Sequence, residues 1–312
     1  MPVDPAIAVM LEQINALAAV SVREADPEFL READRRLRTL GPAPAPIEVG
    51  SVQDTVVAGP AGDIPVRVYR PAGAGLHPTV AYFHGGGWTI GDLDSHDLVT
   101  RRLCRDVEAV VVAVHYRRAP EDPFPAAYDD CLTVATHVAD HIDAYGGDRD
   151  RLAVAGDSAG ANLAAVVALA FRDQHRPLAA QLLAYPATDF EGSYPSRAEY
   201  GEGYLLTLEA LDDFKHLYAG DDPAARSDSR LSPLRAASHR GLAPAVLGVG
   251  QYDPLRDEVM AYAEALRAAG VEVFARVYDG LTHTFLGLFA LSPAADAADA
   301  ELFAQLKQRL AV

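Results

Sequence analysis

The chain has 312 residues, half of them hydrophobic and 23% charged, which suffices for one large α/β domain with insertions or two ordinary domains. Its formal net charge is −17, from 27 basic against 44 acidic residues, which argues against nucleic acid and anionic membrane surfaces as partners. The two cysteines, Cys104 and Cys131, form neither a metal-ligand spacing nor a disulfide framework and read as buried free thiols, which fits a cytoplasmic protein.

At the N-terminus, Met1-Pro-Val-Asp-Pro5 lacks a positive n-region and a continuous apolar run, so no secretory signal is expected. No apolar stretch of the sequence reaches the length of a membrane span. Ile7, Met10, Leu11, Ile14, Leu17 and Ala18 recur at helical spacing, Asp26-Pro27 interrupts, and a charged second helix is expected to run to Leu40. Gly41-Pro-Ala-Pro-Ala-Pro46 cannot be helix and reads as a linker. A helical pair ahead of any strand predicts a cap packed on a later core.

The pattern then turns to strands. Ile47–Val57 and Ile64–Arg70 read as an antiparallel pair around Gly59-Pro-Ala-Gly62, with Pro65 suited to a sheet edge. Pro78–Phe83 and Ala109–Val114 read as buried strands on either side of a helix over Asp97–Asp106, and Ala126–Tyr145 reads as helix. Arg151–Ala155 is a further apolar strand, and Ala161–Ala170 a buried helix. Beyond them come a strand over Leu178–Tyr185 and an irregular stretch with one helix near Leu208–Tyr218. Strands over Ala245–Val249 and Val271–Val277 follow, with a helix over Arg256–Ala269 between them and a last helix over Ala294–Leu310. Strands alternating with helices mean a mostly parallel sheet with helices on both faces. The expected organisation is cap helices over residues 1–45, a core in two parts over 46–185 and 241–312, and an inserted cap segment over 186–240.

Between the strand and the buried helix lies Gly156-Asp157-Ser158-Ala159-Gly160. G-x-S-x-G in that setting is the nucleophile-elbow pattern, and the turn is too tight for side chains at either glycine. A serine hydroxyl is a poor nucleophile at neutral pH and needs a base, an orienting carboxylate and a site for the developing oxyanion. His84-Gly85-Gly86-Gly87-Trp88 follows directly on a strand, and the N–H groups of Gly85, Gly86 and Ala159 are the expected oxyanion donors. No phosphate-loop pattern competes for those glycines. The base must come from a loop at the carboxyl edge of the sheet, where sites form. His283, in Asp279-Gly-Leu-Thr-His-Thr-Phe285, lies in such a loop, whereas His239 falls in the cap segment and His115 at a strand end. Asp253 is the acid nearest the end of the preceding strand. Asp257 and Glu258 fall in the first turn of the next helix, where carboxylates commonly serve as dipole partners. Asp157 reads as a local hydrogen-bond anchor. Tyr204, Leu205, Leu206 and Phe214 are candidates for an apolar acyl wall or for ordinary cap packing. The order Ser158…Asp253…His283 is that of the α/β-hydrolase triad.

Several stretches together carry a family likeness: His84-Gly-Gly-Gly-Trp88, Tyr116-Arg-Arg-Ala-Pro-Glu121 with Phe124-Pro-Ala-Ala127, Gly156-Asp-Ser-Ala-Gly160, Asp253-Pro-Leu-Arg-Asp-Glu258, and Gly280 with His283 and Phe285. On these the chain resembles the hormone-sensitive-lipase-like bacterial carboxylesterases of the α/β-hydrolase superfamily. The resemblance implies an eight-stranded, mostly parallel sheet with a helical cap built from the N-terminus and the 186–240 segment. It implies Ser158, Asp253 and His283 as triad and Gly85, Gly86 and Ala159 as oxyanion donors. It also implies hydrolysis of short-chain acyl esters, with no metal and no organic cofactor. Members often pair through an edge strand, so a homodimer is one expected partner beside a small-molecule ester. Arg118 departs from the family pattern, where leucine is common.

The same triad would serve an amidase, so the motifs leave amides open. A catalytically silent ligand-binding relative commonly lacks a triad member, and this chain keeps candidates for all three. No long apolar lid segment is evident, which favours an esterase over a true lipase.

Overall fold

The structure is a computed structural model in which residues 2–17, 20–38 and 47–311 are described. Its strands are β1 (Ser51–Gly59), β2 (Gly62–Arg70), β3 (His77–Phe83), β4 (Val110–Val114), β5 (Gly147–Asp157), β6 (Ala180–Ala184), β7 (Ala245–Tyr252) and β8 (Val273–Thr282). They form one eight-stranded sheet in the order β1-β2-β4-β3-β5-β6-β7-β8. β1–β2 and β2–β4 are antiparallel and every other pair is parallel. The parallel strands are apolar on both faces, as burial under helices demands: all five residues of β4 and of β6 are buried.

The helices are α1 (Pro5–Asn15), α2 (Pro27–Arg38), α3 (Asp97–Val107), α4 (Ala126–Asp140), α5 (Ala159–Asp173), α6 (Pro195–Tyr200), α7 (Leu208–Ala219), α8 (Pro223–Arg226), α9 (Arg256–Ala268) and α10 (Pro293–Arg309). α4 packs with α5, and α3 with α10, which covers both faces of the sheet. α5 is buried from Ala159 to Leu169, and its alanines allow the close approach to β5 and β6 that the turn between strand and helix requires. Among the described residues no helix is long and apolar enough to cross a membrane. Cys104 and Cys131 are buried and unpaired, on α3 and α4.

Three expectations need correction, and a fourth lies outside the described residues. α1 stops at Asn15, where the Asn15 side chain donates to the Gly203 carbonyl at 3.1 Å. The apolar stripe therefore ends early: Ile7 and Leu11 are buried, but Leu17 is 61% exposed. The expected linker Gly41–Pro46, together with Ala18 and the end of the second helix at Leu40, lies outside the described residues. Pro65 is not at an edge, since β2 lies between β1 and β4; it is tolerated because the β4 ladder begins one residue later, at Val66 opposite Val114. β8 continues past Val277 to Thr282, with Gly280 at φ 76° absorbing the turn-like sequence, so His283 follows the strand immediately.

Candidate active site

The sheet order makes the carboxyl ends of β3, β5, β7 and β8 converge, because β5 lies beside β3 and β7 beside β8 with only β6 between. The register carries this to single residues: Phe83 lies opposite Gly156, and Asp157 opposite Ala184. Ser158 follows at φ 54°, a strained value for a residue with a Cβ, and its N–H donates to the Ala184 carbonyl at 2.9 Å. The strain persists because the surroundings admit no alternative. A Cβ on Gly156 would run into the Gly160 carbonyl, and one on Gly160 into the carbonyl oxygen of Phe83.

Three strand ends bring Ser158, His283 and Asp253 together. His283 Nε2 lies 2.9 Å from Ser158 Oγ, and His283 Nδ1 lies 2.7 Å from Asp253 Oδ2. Asp253 is fully buried, and its other oxygen accepts the Leu255 N–H at 2.8 Å. A carboxylate can only accept, so Nδ1 carries the proton and Nε2 is left to accept from the serine hydroxyl. The Tyr185 ring meets His283 edge to face at 4.7 Å and fixes the imidazole plane from the side. His239 instead bonds the Pro233 carbonyl at 2.9 Å, and His115 lies beside His84, so neither reaches the serine.

The glycine loop departs from expectation at one position. The Gly85 N–H donates to Asp157 Oδ1 at 2.9 Å, and Tyr82 OH donates to the same oxygen at 2.6 Å. Gly85 is therefore committed to holding the loop on the elbow. Asp157 is the hydrogen-bond anchor expected of it, with His96 Nε2 a further 3.4 Å from its other oxygen. Among the described residues no acceptor is taken by the N–H groups of Gly86, Gly87 or Ala159, and all three residues line the cavity at Ser158. Gly86 at φ 116° and Gly87 at φ 56° need their missing side chains, since a Cβ on Gly87 would strike the Phe214 ring. Beneath the loop His84 stacks on Tyr116 at 4.2 Å, and burial holds its pKa well below the ordinary histidine value.

The cavity is about 190 Å³. Its floor is Gly86, Gly87, Ser158, Ala159 and His283, and its walls include Trp88, Leu205, Leu206, Leu211 and Phe214. Of the four residues expected as an acyl wall, Leu205, Leu206 and Phe214 line it. Tyr204 does not: it stacks on Tyr252 at 5.0 Å and meets Tyr200 edge to face at 5.5 Å.

Several residues at the site escape a reading of the sequence. Arg31 of α2 is 8% exposed and donates to the Thr89 carbonyl at 3.1 Å, to the Ala119 carbonyl at 3.3 Å and to both oxygens of Glu121. Arg118, the departure from the family pattern, donates to the Gly91 carbonyl at 2.6 Å. The two arginines thus grip the outer turn of the glycine loop. Asp34, from α2, reaches the cavity wall. Glu258 is no simple dipole partner: it is fully buried, paired with Arg197, and accepts the Thr188 N–H at 2.8 Å. A lone arginine or glutamate in an amphipathic stretch carries no local signal of such a role.

A family model described as the α/β-hydrolase fold matches residues 80–287. The chain is 46% identical over 266 residues to the carboxylic ester hydrolase LipN of Mycobacterium tuberculosis (strain ATCC 25618 / H37Rv), covering 83% of this chain and 70% of that one. It is 40% identical over 286 residues to the esterase LipI of the same strain, covering 90% and 89%. Among solved structures, an ester-hydrolase from the metagenome of Lake Arreo, complexed with a derivative of bipyridine phosphonate, superposes with a TM-score of 0.93 at 38% identity over 99% of this chain and 100% of that one. Sheet order, strand-end loops and relatives lead to one assignment: the chain belongs to the hormone-sensitive-lipase-like carboxylesterase family of the α/β hydrolases.

Proposed function

We propose that the protein hydrolyses short-chain carboxylic esters through a serine acyl-enzyme, with Ser158 as nucleophile, His283 as general base and acid, and Asp253 as orienting carboxylate. The observation that carries the reading is the chain of short contacts from Ser158 Oγ through both ring nitrogens of His283 to a fully buried carboxylate. Ser158 Oγ attacks the ester carbonyl as His283 Nε2 takes its proton. The oxyanion is met by the N–H groups of Gly86, Gly87 and Ala159, each worth about 3–4 kcal/mol in the transition state. His283 then protonates the leaving alcohol, and water, activated by the same imidazole, releases the acid. Asp253 keeps the Nδ1–H tautomer and stabilises the imidazolium. A cavity of about 190 Å³ suits a small acyl group, being below the range of roughly 300–1,000 Å³ usual for drug-sized ligands.

In this reading residues 1–45 and 186–240 act as one cap over the pocket. Support comes from the Asn15–Gly203 bond, from Asp34 at the cavity wall, and from the Leu205, Leu206 and Phe214 side chains opposite the elbow. The test is hydrolysis of p-nitrophenyl esters from acetate to palmitate, with Ser158→Ala beside the wild type. Turnover should peak at short chains and fall by roughly 10⁴-fold or more in the variant. Turnover that survives in Ser158→Ala sinks the nucleophile. A profile that peaks at palmitate sinks the short-chain preference.

A further inference from the structure

The segment between α6 and α7 places a leucine in a conformation that leucine avoids. Leu205 has φ 79°, and the Leu206 N–H donates to the Tyr204 carbonyl at 3.1 Å, closing a three-residue turn about it. Such turns with the central residue at positive φ are rare and strained, and a Cβ is the source of the strain. The chain is pinned on both sides of Leu205. The Gly203 carbonyl is held by Asn15, and the Tyr204 ring lies flat on Tyr252 with 17° between planes. Thr207 caps α7 through the Ala210 N–H at 3.0 Å, and the Leu208 N–H bonds the Gly201 carbonyl at 2.8 Å. The backbone at 205 therefore has nowhere to relax, and its side chain lines the cavity that holds Ser158 and His283.

From this we infer that Leu205 is a size gate. The clamped turn keeps its side chain in the cavity, where it sets the upper length of ester the site accepts. The inference rests on the proposed esterase reading and deepens it. Glycine fits the turn without strain, yet the gate is a leucine. A side chain that occupies space is thus what separates this turn from its unstrained form.

Two properties follow. Removing the side chain opens the cavity to longer substrates, and glycine at 205 is tolerated at least as well as alanine. That second result reverses the usual order, because glycine commonly destabilises relative to alanine through its unfolded state. The experiment compares wild type, Leu205→Ala, Leu205→Gly and Leu205→Phe. It records kcat/KM for two matched series, one varying the acyl chain of p-nitrophenyl esters and one varying the alcohol of acetate esters, together with thermal midpoints. In one of the two series the ratio of octyl-length to two-carbon substrate should rise roughly tenfold or more in the alanine and glycine variants. The ratio should fall in Leu205→Phe, and the glycine variant should melt no lower than the alanine variant. Unchanged ratios in both series, or a glycine variant that melts below the alanine variant, overturn the gate. Acetate turnover abolished by Ser158→Ala serves as the separate control on the esterase reading. A wild type that turns over no ester overturns that reading and the gate with it.

Discussion

The floor and the roof of the cavity are built by different means. The floor, residues 85–87 and 156–160, is backbone held by backbone and by one carboxylate: β3 lies against β5, and Asp157 pins Gly85. Its side chains are mostly absent because no space exists for them. The roof is held by side chains: the Arg31 fork, the Arg197–Glu258 pair, and a stack in which Trp88 lies parallel to Tyr218 at 4.8 Å. A surface made of backbone tolerates almost no substitution, whereas one made of side chains can be reshaped residue by residue. In the proposed reading chemistry and selectivity are thereby separated in space, so the roof can change what is accepted while the floor keeps what is done.

This contrast can be broken at the floor first. Gly160→Ala places a Cβ against the carbonyl oxygens of Phe83 and His84, both backbone atoms of a central strand end. We expect kcat to fall by about 10²-fold or more even where circular dichroism shows folded protein, since misplacing reacting groups by about 1 Å costs that much. A near-normal kcat would mean the floor is softer than its packing implies. In the roof, Glu258→Ala strands the Arg197 guanidinium, 11% exposed, and leaves the Thr188 N–H without its carboxylate. The expected cost is about 3–5 kcal/mol in urea unfolding, with kcat of the folded fraction largely kept. An equal loss of kcat would erase the distinction between roof and floor.

The smallest effect sharpens the comparison through pH. Asp299 of α10 is 1% exposed, accepts the Gly287 N–H at 3.2 Å, and has Arg102 Nη1 at 3.4 Å. Burial pushes its carboxyl up to about 8, against an ordinary value of 3.8. Arg102 does little to prevent this because it is shared with Asp296 at 2.7 Å and Asp106 at 3.2 Å. The folded state therefore keeps a proton that the unfolded chain releases, and stability falls as pH rises from about 4 through about 8. Asp299→Asn should remove this slope, so the variant's thermal midpoint gains on the wild type between about pH 5 and 8 and then levels off. A gap that does not change with pH would show Asp299 to be ionised throughout.

The floor was also the legible part. Ser158, Asp253 and His283 stand out because each residue type follows directly on an apolar strand, where a parallel sheet gathers its loops. Which glycine amides stay free was not legible. Gly85 differs from Gly87 only through a carboxylate 72 residues away that folds back onto it. The roof was read less well for the same kind of reason. Tyr204 and Leu205 are neighbours in an irregular stretch without periodicity, and only the Tyr252 ring decides that one stacks outside the cavity while the other lines it. Glu258 carries the local signature of a first-turn acid, and its burial follows from Arg197 on a distant element. Pro65 looked like an edge residue because the end of the β4 ladder is invisible from β2 alone.

The last strand of the sheet is also the last in the chain, and His283 stands one residue beyond it, 125 residues after its serine. In the proposed mechanism, catalytic competence is thus withheld until β8 has docked, whatever order the earlier strands take. Turnover appearing during refolding would clock the closing event of assembly rather than collapse or helix formation. Parallel pairings of such separation are slow to form, so a lag between recovered helical signal and recovered hydrolysis is built into the topology.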